Sequence, residues 1–422
     1  MATTAGLDES YAGLEARAQR VYRSLGLLPV DVVDPDLITA ACRMTWGEAQ
    51  WLLEMLADER MLELLPPVAN FTERYRLSAT AHEHARLLAL RHDGPVVRSR
   101  VLRRLAEWML SIAQLAQVRL TRAQAALQQP DALVPAVRVP FEDDAGAMAW
   151  LERHERSLPG VLRMAQERRW DEIVWRLVDA FWPLFLRRHP YALWAEAHEI
   201  GLASARRANN PAAVRQMLNS GAIGLKTAGR LDEALAWFIE ALVAARKAGD
   251  IRDEGQALFG LGACHHEAGR AQQAEPYLQE ATDLWERCGY PRGVALATIL
   301  LGEIVLTDDP RRAQAMLTDA RGILLGAEDS YDATCALALH GHARVLTGDI
   351  ETGIGEMEDA ADVCRAAGST RWLARVLELL GSAHRDRLDP ATARQCYREA
   401  AELYAVIRPA DADRLRQLER AL

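Results

Sequence analysis

The sequence lacks the short signatures that announce a chemistry. It contains no Gly-Lys dipeptide, and therefore no Gly-x-x-x-x-Gly-Lys-Ser/Thr loop to cradle a phosphate. No Gly-x-Ser-x-Gly elbow is present. His265-His266-Glu267 falls short of His-Glu-x-x-His because Arg270 stands where the second histidine would be, and no third ligand follows at metal-binding spacing. His82 and His84, like His340 and His342, are two residues apart and point to different sides of a helix. These absences predict a non-enzymatic chain with no metal and no cofactor.

Other shortages bound the class. The six cysteines, at 42, 264, 288, 335, 364 and 396, include no Cys-x-x-Cys pair. In a chain of 422 residues they read as thiols packed as small hydrophobes, which predicts a cytoplasmic protein. No run reaches the ~18 apolar residues of a membrane span, and residues 1–9 carry neither a basic nor an apolar leader, so neither secretion nor a membrane partner is expected. With a net charge of -9 and a pI of about 5.7 the chain is not a general nucleic-acid binder. β-branched residues are sparse, while alanine, leucine and arginine dominate, which favours helix.

What is present is a repeat. Small residues recur at Ala234, Ala274, Ala313, Gly353 and Ala393, with steps of 40, 39, 40 and 40. A second series follows seven positions later, at Ala241, Ala281, Ala320, Ala360 and Ala400, and a third precedes, at Ala222, Gly262, Gly302, Gly341 and Gly381. Turn signals fall between the series, at Gly229-Arg230, Gly269-Arg270, Asp309-Pro310, Gly348-Asp349 and Asp389-Pro390. Exit signals close the units at Gly249-Asp250, Gly289-Tyr290-Pro291 and Gly368-Ser369. Each unit is therefore predicted to be helix, turn, helix, with small residues where the two helices cross. Such a pair buries its apolar face only by stacking on its neighbours.

Upstream, Leu14, Ala18, Val21, Tyr22 and Leu25 share one helical face, Asp34-Pro35 reads as an N-cap followed by proline, and Thr45 with Glu48 makes a capping box. Residues 61–65 and 74–77 then read as two short strands around a turn with Pro66-Pro67 and Asn70. Three helices and two strands describe a winged helix over residues 1–92. Its third helix carries Glu48, Glu54, Asp58 and Glu59 against a lone Arg60. Phosphate contacts supply most DNA affinity, so this charge favours docking of a partner or of a second copy over DNA binding. Residues 93–128 predict one long helix with Arg98, Arg100, Arg103, Arg104, Arg119 and Arg122 on a solvated face and Leu102, Leu105, Met109, Ile112 and Leu115 inside. Residues 129–146, with Pro130, Pro135 and Pro140, predict a linker. A helical lead-in follows at 147–169. A degenerate capping repeat is expected at 170–210, its core filled by Trp170, Trp175, Trp182 and Trp194. Five repeats follow at 211–408 and a closing helix at 409–422. The fold class is thus mostly all-α: a solenoid of helix pairs behind a small winged-helix domain.

Leu261, Gly262, Gly269, Ala274, Leu278 and Ala281 resemble the tetratricopeptide repeat, whose usual period is about 34 residues. The resemblance implies a concave groove lined by the first helix of each pair. Carrying the family's groove positions across gives Arg176, Asp179, Gln216, Asn219, Lys226, Gln256, Phe259, His266, Glu303, His342, Arg375, Glu378 and Arg385. This mixed polar lining implies a peptide, a protein segment or a small-molecule signal as partner. It does not match the lysine–asparagine–arginine pattern with which chaperone-binding relatives take a C-terminal carboxylate.

The order of parts, with residues 22–29, Glu48-Ala49, residues 56–58, Met61-Leu62, Tyr75-Arg76-Leu77 and residues 149–152, resembles the C-terminal half of actinobacterial signal-transduction ATPases with numerous domains, including streptomycete antibiotic regulatory proteins. The resemblance implies a regulator. The family's nucleotide-binding module and DNA-binding domain are absent, and Ser78-Ala79 stand where such ATPases place a His-Asp pair, so ATP binding is not carried over and a stand-alone protein is expected rather than an excised piece. A DNA-binding transcriptional regulator using the winged helix, and an enzyme or accessory protein of a biosynthetic pathway using the groove, are the alternative readings.

Overall fold

The computed structural model describes residues 4–66, 73–121 and 138–422, which fall into two compact units with the boundary after Phe181. The first unit contains α1 (Thr4–Gly13), α2 (Ala16–Leu25), β1 (Val32–Val33), α3 (Pro35–Cys42), α4 (Trp46–Asp58), β2 (Glu63–Leu64), β3 (Tyr75–Arg76), α5 (Ala79–His92), α6 (Pro95–Leu120), α7 (Asp144–His154), α8 (Leu158–Glu167) and α9 (Asp171–Ala180).

Local chemistry sets these starts. Asp34 accepts a hydrogen bond from the Leu37 N–H at 2.8 Å with Pro35 in the first turn of α3. Thr45 and Glu48 cap α4 reciprocally. The three strands form one antiparallel sheet with β3 in the middle, Tyr75 lying opposite both Val33 and Leu64. Leu14, Ala18, Val21, Tyr22 and Leu25 are buried, as are Ala49, Leu52, Leu53 and Leu56 on the inner face of α4. In α6 Leu102, Leu105, Met109 and Ile112 are buried but Leu115 is half-exposed. α7 begins three residues before the expected Ala147, because Asp143 caps it by accepting from the Gly146 N–H. The turn with Pro67 and Asn70, together with Arg122 and the prolines at 130 and 135, lies outside the described residues.

The second unit contains α10 (Trp182–Arg188), α11 (Tyr191–Arg207), α12 (Pro211–Thr227), α13 (Leu231–Ala248), α14 (Ile251–Glu267), α15 (Ala271–Arg287), α16 (Pro291–Val305), α17 (Pro310–Gly326), α18 (Ser330–Thr347), α19 (Ile350–Ala366), α20 (Thr370–Asp386), α21 (Pro390–Ile407) and α22 (Pro409–Ala421). The helices from α12 to α21 form five consecutive pairs. All members of the two alanine series and Gly353 are buried. The reason is geometric. A Cβ on Gly262 would stand 2.8 Å from the Leu278 side chain, and one on Gly353 would stand 2.4 Å from the Gly341 carbonyl oxygen, so backbones meet where larger residues cannot fit.

The turns follow one rule with informative exceptions. Gly229, Gly269 and Gly348 adopt positive φ between the helices of a pair, as Gly249, Gly289 and Gly368 do at the exits. Leu388 and Glu328 take the same left-handed conformation without being glycine. Successive units are also tied together by buried charge. Arg215 donates to Asp250 and Asp253, and one period-pair later Arg292 donates to Asp329, at 2.6 Å, and to Asp332.

The boundary after Phe181 falls inside the 170–210 stretch expected to form one capping repeat. Trp170 and Trp175 belong to the first unit, whereas Trp182 and Trp194 belong to the second, where Trp194 stacks on Phe185 with ring centroids 5.6 Å apart. The physical reason is that 170–188 forms two short helices, α9 and α10, and not one helix of repeat length.

Candidate functional site

The first helices of neighbouring pairs, α12, α14, α16, α18 and α20, pack on one another, whereas the second helices do not do so to a comparable extent. The side on which helix axes approach more closely is the inner side of a curved stack. The first helices therefore line the concave face.

Charged side chains from distant pairs meet there. Arg375 of α20 donates to Glu303 of α16 at 2.9 Å, and His266 Nε2 of α14 lies 3.4 Å from the same carboxylate. One turn before Arg375, Arg371 donates to Glu267, the last residue of α14, at 2.9 Å. Arg408, between α21 and α22, donates to the other oxygen of Glu267. Glu378 pairs with Arg375 at 3.3 Å and with Arg414 of α22 at 2.9 Å. Glu267 is thus bound to residues 104 and 141 positions away. The last pair and the turn before the closing helix reach back across the concave face to the second and third pairs.

The electrostatics follow from this crowding. Burial pushes the Glu303 carboxyl up, but the His266 hydrogen bond and the Arg375 charge outweigh it and hold the group at about 2. Burial is likewise outweighed at Glu267, where Arg371, Lys226 and Arg408 bring it to about 2. Lys226, half-buried near the end of α12, is lowered by burial and by Arg371. Burial, then Arg375, lowers His342 to about 4, and its Nδ1 is buried without a hydrogen-bond partner.

The positions expected from the sequence separate into groups. His266, Glu303, Arg375 and Glu378 come together in one network, with Lys226 in the field of Glu267 and Arg371. Asn219 is buried on α12 with its Oδ1 unpartnered. Gln256 is half-buried. Phe259 sets its ring against the core residue Trp285, centroids 5.7 Å apart. Arg385 stands at the exposed end of α20, paired with Asp386 at 2.9 Å. Arg176 and Asp179 lie in the first unit, where Arg176 pairs with Glu172 and Asp179 accepts from Gln117. Sequence reasoning missed Glu267, Arg371, Arg408 and Arg414. Arg371 lies four residues before Arg375 and therefore on the same helix face, which was the available signal.

Stacked helix pairs with small residues at each crossing and a concave face built from the first helices define a tetratricopeptide-like solenoid. Residues 214–287 and 253–325 match the family model described as tetratricopeptide repeat. No curated protein sequence matches the chain. Among solved structures, the Rap conjugation gene regulator of the plasmid pLS20 in complex with the Phr* peptide is similar over 92% of this chain and 96% of its own, at 13% identity and a TM-score of 0.52. A signal-transduction ATPase with numerous domains and a tetratricopeptide repeat sensor, from Pyrococcus horikoshii, is similar over 99% of this chain and 68% of its own, at 16% identity and a TM-score of 0.40. Aspartyl phosphate phosphatase F from Bacillus subtilis is similar over 96% and 94%, at 12% identity and a TM-score of 0.47. The likeness to the Rap regulator is one of fold.

Proposed function

We propose that this protein is a non-enzymatic regulatory scaffold that takes a peptide or protein segment on the concave face of its solenoid. One observation carries the reading: polar and charged side chains from α12, α14, α16 and α20 converge on that face, where an extended chain meets donors and acceptors along its length. The peptide in the Rap regulator complex, a protein of similar fold, supports it. Binding is favoured over turnover because Glu267 and Glu303, at about 2, and His342, at about 4, sit well away from the neutral range a general acid or base needs. The six free thiols fit a reducing cytoplasm.

In the first unit, the order from α2 to β3, helix, strand, two helices, two strands, with β3 central, supports the winged-helix reading and with it the likeness to signal-transduction regulators. The outer face of α4 exposes Trp51, Glu54 and Asp58, which suits a protein partner or a second copy better than DNA.

The test is hydrogen exchange by mass spectrometry on the full chain, with and without a pool of random pentapeptides. Protection concentrated on α12, α14, α16, α18 and α20 is the expected result. No protection, or protection confined to the second helices of the pairs, overturns the reading.

A further inference from the structure

Lys226 is one of only two lysines in the chain; every other strongly basic side chain is arginine. The other, Lys247, is exposed on α13. Lys226 is half-buried in the last turn of α12, in the field of Arg371, Arg408 and Glu267. Glu267 is already engaged by both arginines, and Arg408 also binds Asp411 at 2.6 Å. Among the described residues no carboxylate stands within ion-pairing distance of Lys226. Arg371 and Arg408 therefore take up Glu267 between them, Asp411 is divided between Arg408 and Arg414, and Lys226 is left without an ion-pair partner in a partly dehydrated groove. An arrangement of this kind is unfavourable unless another anion joins it.

Two further groups point the same way. The phenol oxygen of Tyr191 is buried with no hydrogen-bond partner and lies in the field of Arg371 and Arg408. His189, 5% exposed, has an unpartnered Nδ1 and lies in the field of Arg371 and Lys226. Both belong to the second unit, Tyr191 opening α11 and His189 just before it.

We propose that Lys226, Arg371 and Arg408 form an oxyanion seat in the groove, with Glu267 as its resident carboxylate and a carboxylate or phosphate group of the groove's ligand as its second anion. Lys226 supplies the unmatched charge on a flexible stem. Arg371 and Arg408 each give Glu267 only part of a guanidinium that carries five N–H donors, so donors remain for a second oxyanion. Tyr191 adds a neutral donor. The proposal rests on the groove reading only for the carrier of the anionic group.

Having two lysines makes the test selective. The native full chain is acylated with an amine-reactive ester at constant ionic strength in chloride, in inorganic phosphate or in acetate, and the modification of Lys226 and Lys247 is followed by mass spectrometry. Phosphate or acetate is expected to slow acylation of Lys226 by at least about tenfold relative to chloride, leaving Lys247 unchanged. Protection by phosphate alone assigns the seat to a phosphate group, and protection by both assigns it to a carboxylate. Equal rates at Lys226 in all three salts overturn the proposal. The variant Lys226→Met gives a second readout, since stabilisation of the fold by the protecting anion must disappear in it. If pentapeptides protect the concave helices while no anion protects Lys226, the seat falls and the groove reading stands; anion protection with no peptide footprint gives the converse.

Discussion

The repeat pattern and the packing make opposite forecasts for one substitution, Gly353→Ala. Four of the five pairs carry alanine at this place, at 234, 274, 313 and 393, so restoring the common residue ought to help. Helix propensity agrees, favouring alanine over glycine by about 1 kcal/mol. The structure says otherwise. The new Cβ would lie 2.4 Å from the Gly341 carbonyl oxygen and 3.0 Å from the Val345 backbone nitrogen. An ordinary carbon–oxygen approach is about 3.3 Å or more, so α18 and α19 must separate by nearly 1 Å. Backbone cannot rotate away as a side chain does, so the cost falls in the upper part of the usual overpacking range, about 2–3 kcal/mol. The net expectation is a loss of roughly 1–2 kcal/mol, or about 2–6 °C in melting temperature. Gly322→Ala is the control. It is also inside a helix, α17, but exposed with nothing within 4 Å of the added carbon, so it should raise the melting temperature by about 2–4 °C. Thermal melts followed by circular dichroism at 222 nm, the usual helix wavelength, compare the three proteins. A Gly353→Ala protein as stable as wild type, or more so, refutes the close approach of the two backbones.

Three further outcomes are expected. Arg292→Met strips the partner from Asp329 and Asp332 and should destabilise the fold by about 3–5 kcal/mol, read from urea unfolding. Leu388→Gly relieves a left-handed conformation in a side chain that is 89% exposed and should stabilise by about 1 kcal/mol, which an unchanged urea midpoint would contradict. Stability should fall with acid in two stages. Burial lowers His198 from 6.5 to about 4, so the folded chain binds that proton less readily than the unfolded one, and stability is lost as pH falls from about 6.5 towards 4. Glu267 and Glu303, depressed from 4.5 to about 2, add stability that is present above about 4.5 and lost as pH falls through 2. Urea midpoints across this range should fall less steeply between pH 6.5 and 4 in His198→Gln.

The parts of this fold that could be read from sequence are those set by local or periodic constraints. A helix crossing that admits only Gly or Ala recurs every 40 residues, so three series disclosed the pairs and their order. Caps at Asp34 and Thr45 were legible because the capping and capped groups lie three residues apart. The exit at Glu328 was invisible, since a non-glycine residue holds the left-handed position and removes the signal. Within the candidate site, His266, Glu303, Arg375 and Glu378 came from carrying the tetratricopeptide groove positions across to the first helices. Apart from Arg371, which shares a helix face with Arg375, their partners Glu267, Arg408 and Arg414 depend on how sharply the stack curves, which accumulates from small rotations at every pair and leaves no local trace. The division of the tryptophans between two units was hidden for a similar reason, because aromatic spacing records burial and not which core a residue joins.

The clasp formed by Glu267 with Arg371 and Arg408 changes the kind of object the repeat array is. A linear stack held only by adjacent interfaces gains or loses a unit at little cost, because no element senses how many others there are. Here the second pair is fastened to the fifth, so the array measures its own length. An extra 40-residue unit between α15 and α20 would carry the two halves of the fastening past each other. Repeat number in this solenoid is therefore tied to the geometry of a buckle, and one whole unit inserted there would part Glu267 from both of its arginines.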